Sequence, residues 1–185
     1  GLATYSARSA ALIWSKGVGE FCDFAGPRWY RLSATESTQP EAFFAEHYKG
    51  AHGLVWLRLG TISRDGLRCD IDAFARAALS TINRPFILIT TDGDATVPSD
   101  IRAETVEAVC AHPHLVGWYT QNCGGGSRVI RAFPIGLNLH TQLAWTTPRR
   151  LVAFLDRLGR NAPPARMRRL RVFCDLTLSP TDGRR

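Results

Sequence analysis

Apolar residues in the middle of the chain fall into two alternating patterns. Short continuous runs at 53–59, 86–90, 115–120 and 129–133 are bounded by Gly, Pro and polar residues. Runs of that length and flanking predict strands buried on both faces of a parallel sheet. Between them lie segments of helical period. Ile71, Phe74, Ala75, Ala78, Leu79 and Ile82 form one stripe over 71–82, with Asp70 as the expected N-cap and Asn83-Arg84-Pro85 as the stop. Pro98-Ser99-Asp100 opens a second helix over 101–111, whose Val106, Val109 and Cys110 suit packing on a sheet, and His112-Pro113 closes it. Gly60 to Cys69 reads as a loop, and Gly124-Gly125-Gly126-Ser127 as a flexible turn.

The flanks are less regular. Residues 5–13 suit a short helix and 29–32 a strand, and Ser37-Thr38-Gln39-Pro40 opens a helix over 41–48 that ends at Gly50. Pro148 starts a helix running through Val152, Phe154, Leu155 and Leu158, Pro163-Pro164 marks a hinge, and 171–176 is a further strand. The strand–helix alternation predicts an α/β fold: a Rossmann-like, open, mostly parallel sheet built from right-handed βαβ units with helices on both faces. Residues 51–147 are the expected core. Residues 1–50 join it as an irregular, helical N-terminal segment, and 148–185 form an Arg-rich helix and strand that could start a second lobe.

Composition narrows the class. At 185 residues and 45% hydrophobic content the chain can bury one substantial core, and no apolar run has the length of a membrane span. The start, Gly1-Leu2-Ala3-Thr4, has neither an initiator Met nor a secretory signal and reads as a processed or trimmed end, while Asp182-Gly183-Arg184-Arg185 suggests a chain that continues. Five scattered cysteines without a CxxC pair argue against a zinc knuckle and for small buried hydrophobes in a reducing, cytoplasmic setting. The net charge of +7 is nearly all arginine, since the only lysines are Lys16 and Lys49. Its concentration in Arg149, Arg150, Arg157, Arg160, Arg166, Arg168, Arg169 and Arg171 describes either a solvated helical face or a polyanion-binding surface. No nucleic-acid-binding motif accompanies it, so nucleic acid is not the expected partner.

Candidate chemistry sits at the carboxyl ends of the strands, where open α/β sheets place ligands. Three tips are polar: Thr90-Thr91-Asp92-Gly93-Asp94, Thr120-Gln121-Asn122 and Asn138-Leu139-His140-Thr141. Hydroxyl and amide groups around one crevice suit a sugar or nucleotide, although Asp, Asn and Thr also occur at such positions because they cap and turn well. Asp92-Gly93-Asp94-Ala95-Thr96 has three readings. It matches the Asp-x-Asp-x-Thr of haloacid-dehalogenase-like phosphatases, in which one carboxylate attacks phosphorus, the other protonates the leaving group and Mg²⁺ neutralises charge. That family also needs a downstream Lys and a later acidic pair, and no Lys follows Lys49. It matches the Asp-x-Asp by which some glycosyltransferases bind a nucleotide diphosphate through Mn²⁺ or Mg²⁺. It also suits a turn built by capping around Gly93, the reading favoured for Asp94, with Asp92 left to contact a ligand. His112 and His114 bracket Pro113 as helix-end groups, and His140 is a candidate base. No P-loop, Gly-x-Ser-x-Gly elbow or dinucleotide-binding glycine motif is present.

One likeness extends over several motifs. Pro85-Phe86-Ile87-Leu88-Ile89-Thr90-Thr91-Asp92-Gly93-Asp94, then His112-Pro113-His114-Leu115-Val116-Gly117-Trp118-Tyr119-Thr120-Gln121-Asn122, then Phe133-Pro134-Ile135-Gly136-Leu137, resembles the exostosin-like glycosyltransferases, collinearly over about residues 54–140. The resemblance implies the first lobe of a two-lobed GT-B enzyme, with most of the lobe that carries the nucleotide-sugar pocket lying outside this chain. It implies glycosyl transfer from a nucleotide-sugar to a glycan or other hydroxyl acceptor. Asp92 or His140 would be the general base, and Thr90, Thr91, Asp94, Gln121, Asn122, Gly136 and Asn138 the substrate-binding residues. GT-B enzymes generally need no metal, so no cofactor and no metal site at Asp92-Gly93-Asp94 is expected, although Mg²⁺ or Mn²⁺ is compatible with those residues.

Overall fold

The computed structural model describes residues 13–33, 38–63, 66–125, 127–136 and 148–168. Five strands form one sheet in the order β2-β1-β3-β4-β5: β1 (Gly53–Ser63), β2 (Gly66–Arg68), β3 (Phe86–Gly93), β4 (Leu115–Thr120) and β5 (Ile130–Ala132). β1, β3, β4 and β5 run parallel, and β2 pairs antiparallel with the outer part of β1. The fold is α/β and Rossmann-like. Crossover helices α3 (Asp70–Ala77) and α4 (Ala103–Cys110) connect β1 to β3 and β3 to β4. Both crossovers step the same way across the sheet, so right-handed connection puts the two helices on one face. The Thr105 hydroxyl of α4 donates to the Asp72 carboxylate of α3 and ties them together.

Side-chain alternation sets the other face. Trp56 and Arg58 of β1 lie beside Ile89 and Thr91 of β3, and they are covered by the N-terminal segment. Trp56 meets Gly19 in a 3₁₀ turn (Gly17–Phe21) and the ring of Tyr30 in α1 (Arg28–Leu32). Helix α2 (Glu41–His47) adds Phe43 and Phe44, and these rings interlock with Tyr30, Tyr48 and the Phe74 ring of α3. Ala25, Tyr30, Phe43, Phe44, Tyr48 and Ala51 therefore share one core with the sheet.

Several expected elements change here. Residues 29–32 are helical, not extended. Pro27 opens the turn, the Tyr30 N–H donates to its carbonyl at 3.0 Å, and the turn buries Tyr30 completely. The expected loop over 60–69 is a hairpin instead. β1 continues to Ser63, and Thr61, Ile62 and Ser63 pair antiparallel with Arg68, Leu67 and Gly66. The first crossover helix is shorter than 71–82, breaking at Ala78 into a 3₁₀ turn (Leu79–Thr81), but Ile71, Phe74, Ala78, Leu79 and Ile82 are all buried as the stripe requires. Helix α4 spans less than 101–111, and β5 less than 129–133. The helix expected over 5–13 (apart from Ile13) and the strand over 171–176 lie outside the described residues.

Asp70 is not the N-cap. Cys69 holds that position, and the Asp70 carboxylate turns into the core. There Oδ2 accepts from Arg58 Nε at 3.1 Å and from the Tyr30 hydroxyl at 2.9 Å, and lies 3.1 Å from Arg58 Nη2. Oδ1 accepts from the Gln39 N–H at 2.8 Å. Arg58 Nη1 donates to the Ser33 hydroxyl at 2.7 Å, and the guanidinium lies 4.4 Å from the centre of the Tyr30 ring. Both charges are fully buried. Burial pushes the Asp70 carboxyl above its ordinary value, opposed chiefly by Arg58. The pair locks the N-terminal segment, β1 and α3 into one arrangement.

Candidate functional site

The carboxyl ends of β3 and β4 interlock. β3 extends past 86–90 to Gly93, so Thr90, Thr91, Asp92 and Gly93 are strand residues. Gly93 pairs with Gly60, and a Cβ on Gly93 would stand 1.9 Å from the Gly60 carbonyl oxygen. That carbonyl accepts from the Asp94 N–H at 2.8 Å. The glycine of Asp-Gly-Asp is thus required by backbone contact. The turn after it returns to β4: the Val97 N–H donates to the Asn122 carbonyl at 3.0 Å and the Gly124 N–H to the Val97 carbonyl at 2.7 Å.

Amide side chains complete the lock. Gln121 Oε1 accepts from the Asp92 N–H at 3.0 Å, while Gln121 Nε2 and Asn122 Nδ2 donate to the Gly93 carbonyl at 2.7 and 3.1 Å. Asp92 and Asn122 both adopt left-handed backbone conformations, with φ of 63° and 52°. Among non-glycine residues Asn and Asp tolerate this region best.

The two threonines are internal to the fold. Thr90 accepts from the Trp118 indole N–H at 2.8 Å, and Thr91 accepts from the Trp56 indole N–H at 2.8 Å while donating to the Ser15 carbonyl. On opposite faces of β3, each hydroxyl satisfies a buried tryptophan of a neighbouring strand. Asp94 is exposed, whereas Asp92 is only 4% exposed. Among the described residues no group of three or more His, Cys, Asp or Glu side chains could hold a metal ion.

The chain segment at Trp14, Ser15 and Lys16 lies across these tips. Trp14 forms an antiparallel bridge to Gly136 in the turn after β5. Gly136 has φ of 75°, and a Cβ there would stand 2.1 Å from the Ile13 carbonyl oxygen, so this Pro-Ile-Gly turn is in close backbone contact with the strap. Lys16 Nζ donates to the Ser33 carbonyl at 2.8 Å and lies 3.5 Å from Asp92 Oδ2. Its side chain is 8% exposed. The Ser15 hydroxyl beside them is buried without a hydrogen-bond partner.

The structure therefore brings together Thr90, Thr91, Asp92, Gln121 and Asn122, with Asp94 at the rim and Gly136 joined through the strap. His140 and Asn138 lie outside the described residues. Sequence reasoning missed Lys16 and Ser15. The available signal was that one of only two lysines in a chain rich in arginine stands two residues after Trp14. The arrangement offers a buried carboxylate held against a buried ammonium. No family model matches the chain, and comparison with the curated proteins and with the solved structures gave no match.

Proposed function

We propose that this chain is the α/β lobe of a glycosyltransferase similar to the exostosin-like enzymes, acting on a nucleotide-sugar donor and a glycan or other hydroxyl acceptor. The observation that carries the reading is the meeting of three segments quoted for the resemblance: the tips of β3 and β4 hydrogen-bond to one another, and the strap that touches both Asp92 and Gly136 adds the third. In this reaction the acceptor oxygen attacks the sugar C1 as the bond from C1 to the diphosphate oxygen breaks. Asp92 or His140 takes the acceptor proton, and arginine or helix-end N–H groups offset the leaving diphosphate. This reading expects no metal.

Lys16 favours a second reading. Its ammonium beside Asp92 supplies a lysine that the order of residues had denied to a Mg²⁺-dependent phosphatase using Asp92 and Asp94. One experiment separates the two: thermal unfolding with nucleotide-sugars, free nucleoside diphosphates and phosphate analogues, with and without Mg²⁺. Binding raises the melting temperature by mass action. Glycosyl transfer predicts a metal-independent shift with one nucleotide family that Asp92→Asn and Asn122→Ala reduce at least about tenfold in affinity, with circular dichroism unchanged. A shift that needs Mg²⁺ and phosphate analogues selects the phosphatase. Nucleotide binding indifferent to both substitutions overturns the site.

A further inference from the structure

Helix α5 (Pro148–Asn161) stands apart in character from the rest of the fold. At helical spacing, Leu151, Val152, Phe154, Leu155 and Leu158 fall on one side. Phe154 and Leu158 are 42% and 48% exposed, and Leu151, Val152 and Leu155 half-buried. Arg150, Arg157 and Arg160 are exposed on the other side, where Asp156 is the only acid of the helix. The Arg157 guanidinium lies 5.6 Å from the centre of the Phe154 ring, at the boundary between the two faces. After Pro163-Pro164 the pattern repeats in a 3₁₀ turn (Ala165–Met167), where exposed Arg166 and Arg168 flank a Met167 that is 68% exposed.

We infer that α5 and the turn after it lie on an anionic phospholipid surface. The argument is charge complementarity joined to apolar exposure. A nucleic acid would engage the arginines and leave Phe154, Leu158 and Met167 in water. A bilayer interface engages both: the apolar side chains enter the boundary between headgroups and acyl chains, and the guanidiniums reach the lipid phosphates. With 14 residues the helix is about 21 Å long, less than the hydrocarbon thickness, so it lies in the plane of the interface. Among the described residues no helix is long and apolar enough to cross a membrane.

The test is co-sedimentation of the full chain with phosphatidylcholine vesicles, with and without phosphatidylglycerol. The expected result is binding to the anionic vesicles alone, weakened by salt. Phe154→Asp, Leu158→Asp and the pair Arg157→Glu with Arg160→Glu should each lower partitioning by at least about tenfold, with the melting temperature unchanged. Three results would overturn the inference. The first is no binding to anionic vesicles at low salt. The second is binding that survives Phe154→Asp and is competed by RNA, which marks a polyanion surface. The third is a melting temperature that falls by several degrees in Phe154→Asp, which shows the apolar face packed within the folded chain.

Discussion

Replacing Arg58 with Met tests the central packing argument, because it removes one charge of a fully buried pair and leaves a side chain of similar length. Asp70 would keep two donors, the Tyr30 hydroxyl at 2.9 Å and the Gln39 N–H at 2.8 Å, and lose the guanidinium. Stranding one partner of such a pair costs about 3–5 kcal/mol, a large fraction of a typical stability of about 5–15 kcal/mol. At roughly 2–4 °C per kcal/mol for a chain of this size, the melting temperature should fall by about 6–20 °C. The sign of the pH dependence follows from Asp70. Burial already raises its carboxyl above the ordinary value of 3.8, and Arg58 is the largest opposing influence. Without Arg58 the folded-state value rises further, so the folded variant takes up a proton as pH falls while the unfolded chain does not yet do so. The stability attached to that proton is present below the unfolded value and lost as pH rises through the folded one. The deficit of Arg58→Met relative to the parent should therefore be greatest at pH 7 and shrink toward pH 5. Adding Asp70→Asn should recover much of it at pH 7, since no charge is then buried. Guanidinium unfolding at the two pH values, with unchanged m-values, measures this. A deficit below about 1 kcal/mol, or one constant between pH 7 and 5, would refute the reasoning.

Gly93→Ala should cost at least about 3 kcal/mol, because its Cβ would stand 1.9 Å from the Gly60 oxygen and 2.5 Å from the Gly60 nitrogen, and relief would break the Asp94 N–H bond to the same carbonyl. Denaturant unfolding checks it, and a loss under about 1 kcal/mol would mean that β1 and β3 do not approach so closely there. Burial pushes the thiols of Cys22 and Cys69 up to about 12, so at pH 8 roughly one molecule in ten thousand carries either thiolate. A thiol reagent should leave both unmodified in the native protein and label them after denaturation. Peptide mass spectrometry that finds native Cys69 stoichiometrically labelled within minutes would contradict its burial.

Parallel strands were legible because their signal is local. A strand buried on both faces needs an uninterrupted apolar run, and β4 occupies Leu115–Thr120 as that run predicts. Local ambiguity produced the misses. Trp29-Tyr30-Arg31-Leu32 has strand-like composition, yet it folds as a helical turn because burying Tyr30 against Phe43 and Trp56 outweighs propensity. Asp70 precedes a helix and looks like a cap, but Arg58, 12 positions earlier, claims its carboxylate. The polar strand ends located the candidate site, since the carboxyl ends of parallel strands share one edge of the sheet. Which of those groups face inward was not written in their order: Thr90 and Thr91 differ only in the pleat, and each is taken by a different tryptophan.

By itself, then, the sequence determined the parallel strands β1, β3, β4 and β5, the crossover helices between them and the meeting of the polar ends of β3 and β4, because periodicity and chain reversal act over a few residues. Only the tertiary structure decided that Lys16 stands against Asp92, that Trp14 bridges Gly136 and that Arg58 lies under Asp70. Those contacts join residues from 12 to 122 positions apart. Their energy comes from burial and from charges brought together in a low-dielectric core, conditions that exist only once the chain has closed around them.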